Sequence, residues 1–173
     1  MAKAKVGVIM GSDSDLEIIL ECLKLLKSFN VDFEVEVTSA HRSPKKTHEY
    51  AVTAAQRGLK VIIAAAGGSA HLAGVIASET TLPVIAIPVA STELKGIDSL
   101  FSMVQMPKGV PVATMGIGES GAANAAILAV QILALSDNAL SKKLQNFKRE
   151  LARRVNKISE KTKAELEQII KKI

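Results

Sequence analysis

Val61–Thr80 reads VIIAAAGGSAHLAGVIASET. Six apolar residues, Val61–Ala66, are followed by Gly67-Gly68-Ser69-Ala70-His71 and then by a stretch that carries a helix to about Thr80. A strand that is apolar at every position is covered on both faces, as in the middle of a parallel sheet with helices on either side. The glycine pair ends the strand, and the residues after it open a helix, so strand, turn and helix follow in one short stretch.

The same unit repeats in both directions. Upstream, Val6–Met10 is an apolar run, Gly11-Ser12-Asp13-Ser14-Asp15 turns and caps, and Leu16–Phe29 spaces Leu16, Ile19, Leu20, Leu23 and Leu26 as a helix does. Phe33–Thr38 alternates as a strand and leads into Ser39-Ala40-His41-Arg42. Ser43 then supplies an N-cap, Pro44 takes the first helical position, and Gly58 closes that helix. Downstream, Pro83–Val89 reads as a fourth strand and Ser91–Ser102 as a loop with a short helix. Val110–Met115 reads as a fifth strand, Gly116–Gly121 as a turn and Ala122–Leu135 as an Ala-rich helix. Strands alternating with helices of these lengths give a parallel α/β sheet with right-handed crossovers, closed as a three-layer flavodoxin-like sandwich.

The last stretch differs. Apolar or near-apolar positions recur at Leu140, Leu144, Phe147, Leu151, Val155, Ile158, Thr162, Leu166, Ile169 and Ile173, nine steps over 33 residues, a mean spacing of 3.67. That is the period of an undistorted helix, which would run roughly 50 Å at 1.5 Å per residue. A stripe longer than its own domain is wide points to packing across a neighbouring subunit. With no linker or repeat, the expectation is a single α/β domain over residues 1–173, its core about 1–136 and its C-terminal helix about 137–173.

Composition narrows the function. The 173 residues are 48% hydrophobic with no Trp, one Tyr and four Phe, so the core must be built from Ala, Val, Ile and Leu. Cys22 is the one cysteine, excludes an internal disulfide, and falls in an apolar helical stretch as an inert thiol. The formal net charge is +5, yet from Lys142 onward there are eleven basic and four acidic residues, so the rest carries −2. The basicity therefore belongs to the tail helix, and without aromatics for base stacking it reads as a solvated face, with no nucleic-acid partner. The first fifteen residues show no signal-peptide apolar region and no run approaches the ~18 apolar residues of a membrane helix. The expectation is a cytoplasmic protein with no membrane partner.

Ligands of open parallel sheets bind beyond the carboxyl ends of the strands, where strand order reverses. If the first three strands are neighbours, the loops Gly11–Asp15, Ser39–Ser43 and Gly67–His71 converge there. Helix N-termini, the hydroxyls of Ser12, Ser14 and Ser39, and the guanidinium of Arg42 suit a phosphate. Asp15 would repel phosphate and suits ribose hydroxyls instead. Gly67 and Gly68 let backbone approach a planar ligand. The glycine spacing matches neither a dinucleotide fingerprint nor a P-loop. Of the three histidines, His48 lies inside a helix, while His41 and His71 sit in the loops. They lack the further ligands a metal needs, and histidine, with an ordinary pKa of about 6.5, is the side chain suited to moving protons near neutrality. No lysine or cysteine in these loops offers a Schiff base or thioester.

Gly11–Asp15, Ser39–Pro44, Gly67–Leu72 and Gln105-Met106-Pro107 together, in order and spacing, resemble the class I PurE family over roughly residues 5–135. The resemblance implies conversion of N5-carboxyaminoimidazole ribonucleotide into 4-carboxy-5-aminoimidazole ribonucleotide in purine biosynthesis, without metal or cofactor. It implies that His41 is the general acid/base, that Ser12, Ser14, Asp15, Ser39 and Arg42 bind the phosphoribosyl group, and that Ala66, Gly67, Gly68, Ser69, His71 and Leu72 wall the migrating carboxylate. It also implies a homo-octamer. The chain departs from the family pattern at Ala65, Ser69 and Ala73, where glycine, alanine and proline are usual.

Two alternatives stand beside it. A class II enzyme would carboxylate aminoimidazole ribonucleotide directly with carbon dioxide, but the third loop resembles class I. A noncatalytic flavodoxin-like nucleotide-binding module would need aromatic stacking for flavin, or an Asp at the end of the third strand where Ala66 stands.

Overall fold

A computed structural model describes residues 3–171. The chain separates into two compact units, residues 1–133 and 134–173. In the first, five parallel strands, β1 (Val6–Met10), β2 (Phe33–Val37), β3 (Val61–Gly67), β4 (Val84–Val89) and β5 (Ala113–Thr114), lie in the order β2-β1-β3-β4-β5. Helices α1 (Leu16–Ser28), α2 (Pro44–Arg57), α3 (Leu72–Glu79), α4 (Ile97–Val104) and α5 (Glu119–Ala134) alternate with them. The three-layer, flavodoxin-like α/β arrangement is the one expected.

β1, β3 and β4 hold the centre, and every residue of β1, of β4 and of Val61–Ala66 is buried. Ile62, Ile63, Ile85 and Ile87 are fully enclosed, each stabilising the fold by about 1.5–3 kcal/mol. Helices approach this sheet on small residues: Ala51 and Ala54 of α2, and Ala122, Ala125, Ala126 and Ala129 of α5, are all at most 1% exposed. That is how a core without tryptophan closes. Cys22 is buried among apolar residues, which pushes its thiol up to about 12 and leaves it inert.

Several boundaries differ from the sequence reading. The second strand stops at Val37, one residue short, because Thr38 turns inward to hydrogen-bond Thr47. The fifth strand is two residues, not six: among the described residues its ladder partner is β4 alone, at Ile85 and Ala86, although β4 itself runs on to Val89. The short helix begins at Ile97, after a left-handed turn through Lys95 and Gly96. The Ala-rich helix starts earlier, at Glu119. Gly58 closes α2 as expected, at φ 101°, a conformation that glycine adopts without steric cost.

The second unit is dominated by α6 (Asn138–Ile170), capped by Asp137, whose carboxylate accepts from the Leu140 N–H at 3.0 Å. Leu140 and Leu144 are buried, whereas Leu151, Val155, Ile158, Leu166 and Ile169 are 44–65% exposed. The last position of the expected stripe, Ile173, lies outside the described residues. Among the described residues no helix is long and apolar enough to cross a membrane.

Candidate active site

Strand order reverses between β1 and β3, and three strands there, β2, β1 and β3, deliver the three loops to one cleft of about 300 Å³. Its walls are Gly11, Ser12, Ser14, Asp15, Ser39, Ala40, His41, Arg42, Ala66, Gly67, Ser69, Ala70, His71, Leu72 and Ser91. Eleven of the twelve site residues expected from sequence line it, and Gly68 alone does not. Gly68 instead takes φ 60° and turns the chain behind the wall, with Thr92 as its neighbour.

The first loop is held by reciprocal caps. The Ser12 hydroxyl accepts from the Ser14 N–H at 3.4 Å, and the Asp15 carboxylate accepts from the Ser12 N–H at 3.2 Å. Asp15 is 3% exposed. Burial raises its pKa above the ordinary carboxylate value, and the N–H groups of Ser12 and Gly11 offset part of that rise.

The second loop is built from hydroxyls. The Ser43 hydroxyl accepts from the Ser39 N–H at 2.9 Å, and the Ser39 hydroxyl accepts from the Arg42 N–H at 3.2 Å. Ser43 was expected to cap α2 with its side chain; it makes no such cap, because that oxygen closes the Ser39–Ser43 turn. Beneath it, the buried Thr38 hydroxyl bonds both Ser43, at 3.1 Å, and Thr47, at 2.9 Å. Thr38 and Thr47 thus fix the loop from inside, a support the sequence reading missed. Arg42 donates from Nη2 to the Gly11 carbonyl at 3.0 Å, joining the first two loops.

The third loop meets the second through histidine. His41 Nε2 lies 2.8 Å from His71 Nδ1, the rings inclined at 74°. One nitrogen must donate and the other accept, so each ring constrains the other's tautomer. Ala70 holds the loop at φ 47°, left-handed for a residue with a side chain, and its N–H bonds the Gly67 carbonyl at 3.1 Å. Such a conformation costs about 1 kcal/mol and persists only where surroundings enforce it. His48 lies elsewhere, on the surface beside Glu79.

Ser91 was not anticipated. It follows β4, and the rule that pointed to the ends of the first three strands applies equally to the fourth, which pairs with β3. Gln105-Met106-Pro107 does not line the cleft; Met106 packs against Gly74 of α3. Among the departures from the family pattern, Ser69 lines the cleft, while Ala65 and Ala73 are buried. Among the described residues no three His, Cys, Asp or Glu side chains are grouped to hold a metal ion.

The AIR carboxylase family model matches residues 5–154. This chain belongs to that family, the PurE enzymes. The N5-carboxyaminoimidazole ribonucleotide mutase of Bacillus subtilis (strain 168) is 57% identical over 139 residues, 80% of this chain and 86% of its own. That of Pyrococcus abyssi (strain GE5 / Orsay) is 54% identical over 149 residues, 86% and 84%. Among solved structures, a variant of Treponema denticola PurE2 superposes with TM-score 0.84 over 92% of this chain and 98% of its own; at 24% identity it supports the PurE fold alone. The match of the family model to residue 154 takes in the first half of α6 and leaves the rest of that helix outside.

Proposed function

We propose that this PurE chain is an N5-carboxyaminoimidazole ribonucleotide mutase of purine biosynthesis, and that the cleft described above is where it acts. The observation that carries this reading is the placement of the His41 imidazole, between the hydroxyl- and arginine-lined loops on one side and the Gly67 wall on the other. The curated relatives named as mutases support it.

The phosphoribosyl end belongs to the first two loops. Among the described residues Arg42 is the one Lys or Arg lining the cleft, and it gives up its carbonyl contact to pair with phosphate, together with Ser12, Ser14 and Ser39. Asp15, an acceptor held by backbone N–H groups, takes ribose hydroxyls. The imidazole base then lies toward His41 and the Ala66–Leu72 wall, of which Gly68 is the supporting turn.

An N-carboxylate is a carbamate. His41, protonated, gives its proton to the exocyclic nitrogen as the N–C bond breaks; the bonding pair stays on nitrogen and carbon dioxide is freed. The ring carbon, made nucleophilic by the free amine, attacks carbon dioxide and forms the new C–C bond. His41, now neutral, takes the proton from that carbon and restores the aromatic ring. The proton count closes on the same residue and nothing is oxidised or reduced. Confining carbon dioxide beside the ring supplies the effective concentration a carrier would otherwise provide. His71 orients His41 through their hydrogen bond.

The same reading takes the enzyme as a cytoplasmic homo-octamer of one α/β domain per chain, about residues 1–136, with the terminal helix reaching a neighbour. The exposed apolar positions of α6 support that placement. The test is turnover by purified protein, without ATP, of N5-carboxyaminoimidazole ribonucleotide against aminoimidazole ribonucleotide plus bicarbonate. Conversion of the first alone is expected. Activity with only the second would make the chain a carboxylase, and activity with neither would leave the cleft a binding site for another phosphoribosyl ligand.

A further inference from the structure

We propose that Ser91, on the loop leaving β4, donates its hydroxyl to the migrating carboxylate and holds it while it is detached, an assignment resting on the mutase reading above. The strand register brings it there. Gly67, the last residue of β3, pairs with Val89, and two residues later the chain turns, with the Ser91 N–H donating to the Val89 carbonyl at 3.1 Å. This turn lays the Ser91 side chain directly over Gly67. A Cβ on residue 67 would stand 1.8 Å from Ser91 Oγ and 2.7 Å from Ser91 Cβ. The missing side chain of Gly67, which is not at positive φ, is therefore the space that Ser91 occupies.

Its hydroxyl is uncommitted. The hydroxyl oxygens of Ser12, Ser39 and Ser43 each accept a backbone N–H of the loop that carries them. Ser91 lines the cleft, and its Oγ makes no hydrogen bond among the described residues. Its backbone is tied to the end of a central strand by the Ser91 N–H bond to the Val89 carbonyl, which sets where that donor stands.

The chemistry calls for such a group. The carboxylate is anionic in substrate and product and becomes neutral carbon dioxide between them, so charge leaves its oxygens at the cleavage step. A lysine or arginine there would stabilise the bound anion more than the transition state and slow decarboxylation. A neutral hydroxyl favours the anion less and still orients carbon dioxide through its oxygens. Arg42, on the second loop, is assigned above to the phosphate rather than to the carboxylate.

The test is the fate of the carboxyl carbon. Wild type and Ser91→Ala are given N5-carboxyaminoimidazole ribonucleotide labelled with ¹³C in the carboxylate, in buffer containing unlabelled bicarbonate. Wild type should keep the label in product. Ser91→Ala should form product about tenfold more slowly, because carbon dioxide no longer held beside the ring escapes before the new bond forms. It should also release label to bicarbonate, with free aminoimidazole ribonucleotide accumulating above the enzyme-free rate and KM changed less than twofold. Full label retention at wild-type turnover in Ser91→Ala overturns the assignment. A wild-type chain inert toward this substrate overturns the mutase reading itself, and Ser91 falls with it.

Discussion

Gly67→Ala tests whether β3 ends in glycine to make room for a side chain from the loop after β4. The added methyl meets Ser91 Oγ at 1.8 Å, Ser91 Cβ at 2.7 Å and the Val89 carbonyl oxygen at 3.2 Å. The hydroxyl can rotate away, but the Cβ cannot, so the Ser91 backbone must retreat by about 0.7 Å to reach ordinary contact near 3.4 Å. Overpacking of this kind costs about 1–3 kcal/mol. At about 2–4 °C per kcal/mol for a chain of this length, Tm should fall by roughly 2–12 °C. The assay is thermal unfolding at fixed protomer concentration, in a double-mutant cycle with Ser91→Gly. That second change removes the two shortest contacts and leaves, of the three nearest, the one at 3.2 Å. In the Ser91→Gly background the alanine should cost under about 0.5 kcal/mol, a coupling of about 1–2 kcal/mol between adjacent residues. An equal drop in both backgrounds, or none in either, refutes the reasoning that Ser91 is what Gly67 makes room for.

His41→Asn should lower turnover by about 10²–10⁴-fold, the usual worth of a positioned acid/base, while nucleotide affinity by calorimetry stays within a few-fold; near-normal turnover removes His41 from that role. Asp15→Asn should raise Tm at neutral pH while impairing nucleotide binding. The folded chain binds the Asp15 proton more tightly than the unfolded one, so this contribution to stability is complete below pH 3.8 and is lost as pH rises through the raised folded value. The stability gap between variant and wild type should therefore close on acidification, and a gap independent of pH removes the buried charge as its cause. Val155→Glu with Ile158→Glu, both on the exposed part of the α6 stripe, should lower the particle mass by light scattering. An unchanged mass shows that assembly does not use that stripe.

The central strands were legible because burial on both faces leaves an unambiguous mark. Val61–Ala66 has no polar residue to interrupt it, and its neighbours β1 and β4 read the same way. The loops were legible for a related reason: each combines small residues, hydroxyls and a charged or imidazole side chain immediately after a strand. Edges were not. Val110–Met115 has the composition of a strand, but a strand at the rim has one partner to follow, and β5 follows β4 only at Ile85 and Ala86 although β4 continues to Val89. Ladder length is a tertiary quantity that residue type does not encode.

Side-chain partners were hidden by the same logic. Ser43 precedes a proline-started helix and has every local reason to cap it, yet the turn from Ser39 competes for its oxygen and wins. A hydroxyl with two acceptable partners is decided by which backbone N–H the fold places nearer, here that of Ser39 at 2.9 Å. Ser91 is the converse case. Nothing in Ala90-Ser91-Thr92 marks a site, because its position over Gly67 comes from the pairing of β3 with β4, two segments whose register no local pattern specifies. The glycine was visible and read as permitting close approach of a ligand; what approaches it in the fold is a side chain, and that changes what the residue is for. If Gly67 serves Ser91, then the wall of the cleft is set jointly by two strands, and substitutions at either position act on the same step of the reaction.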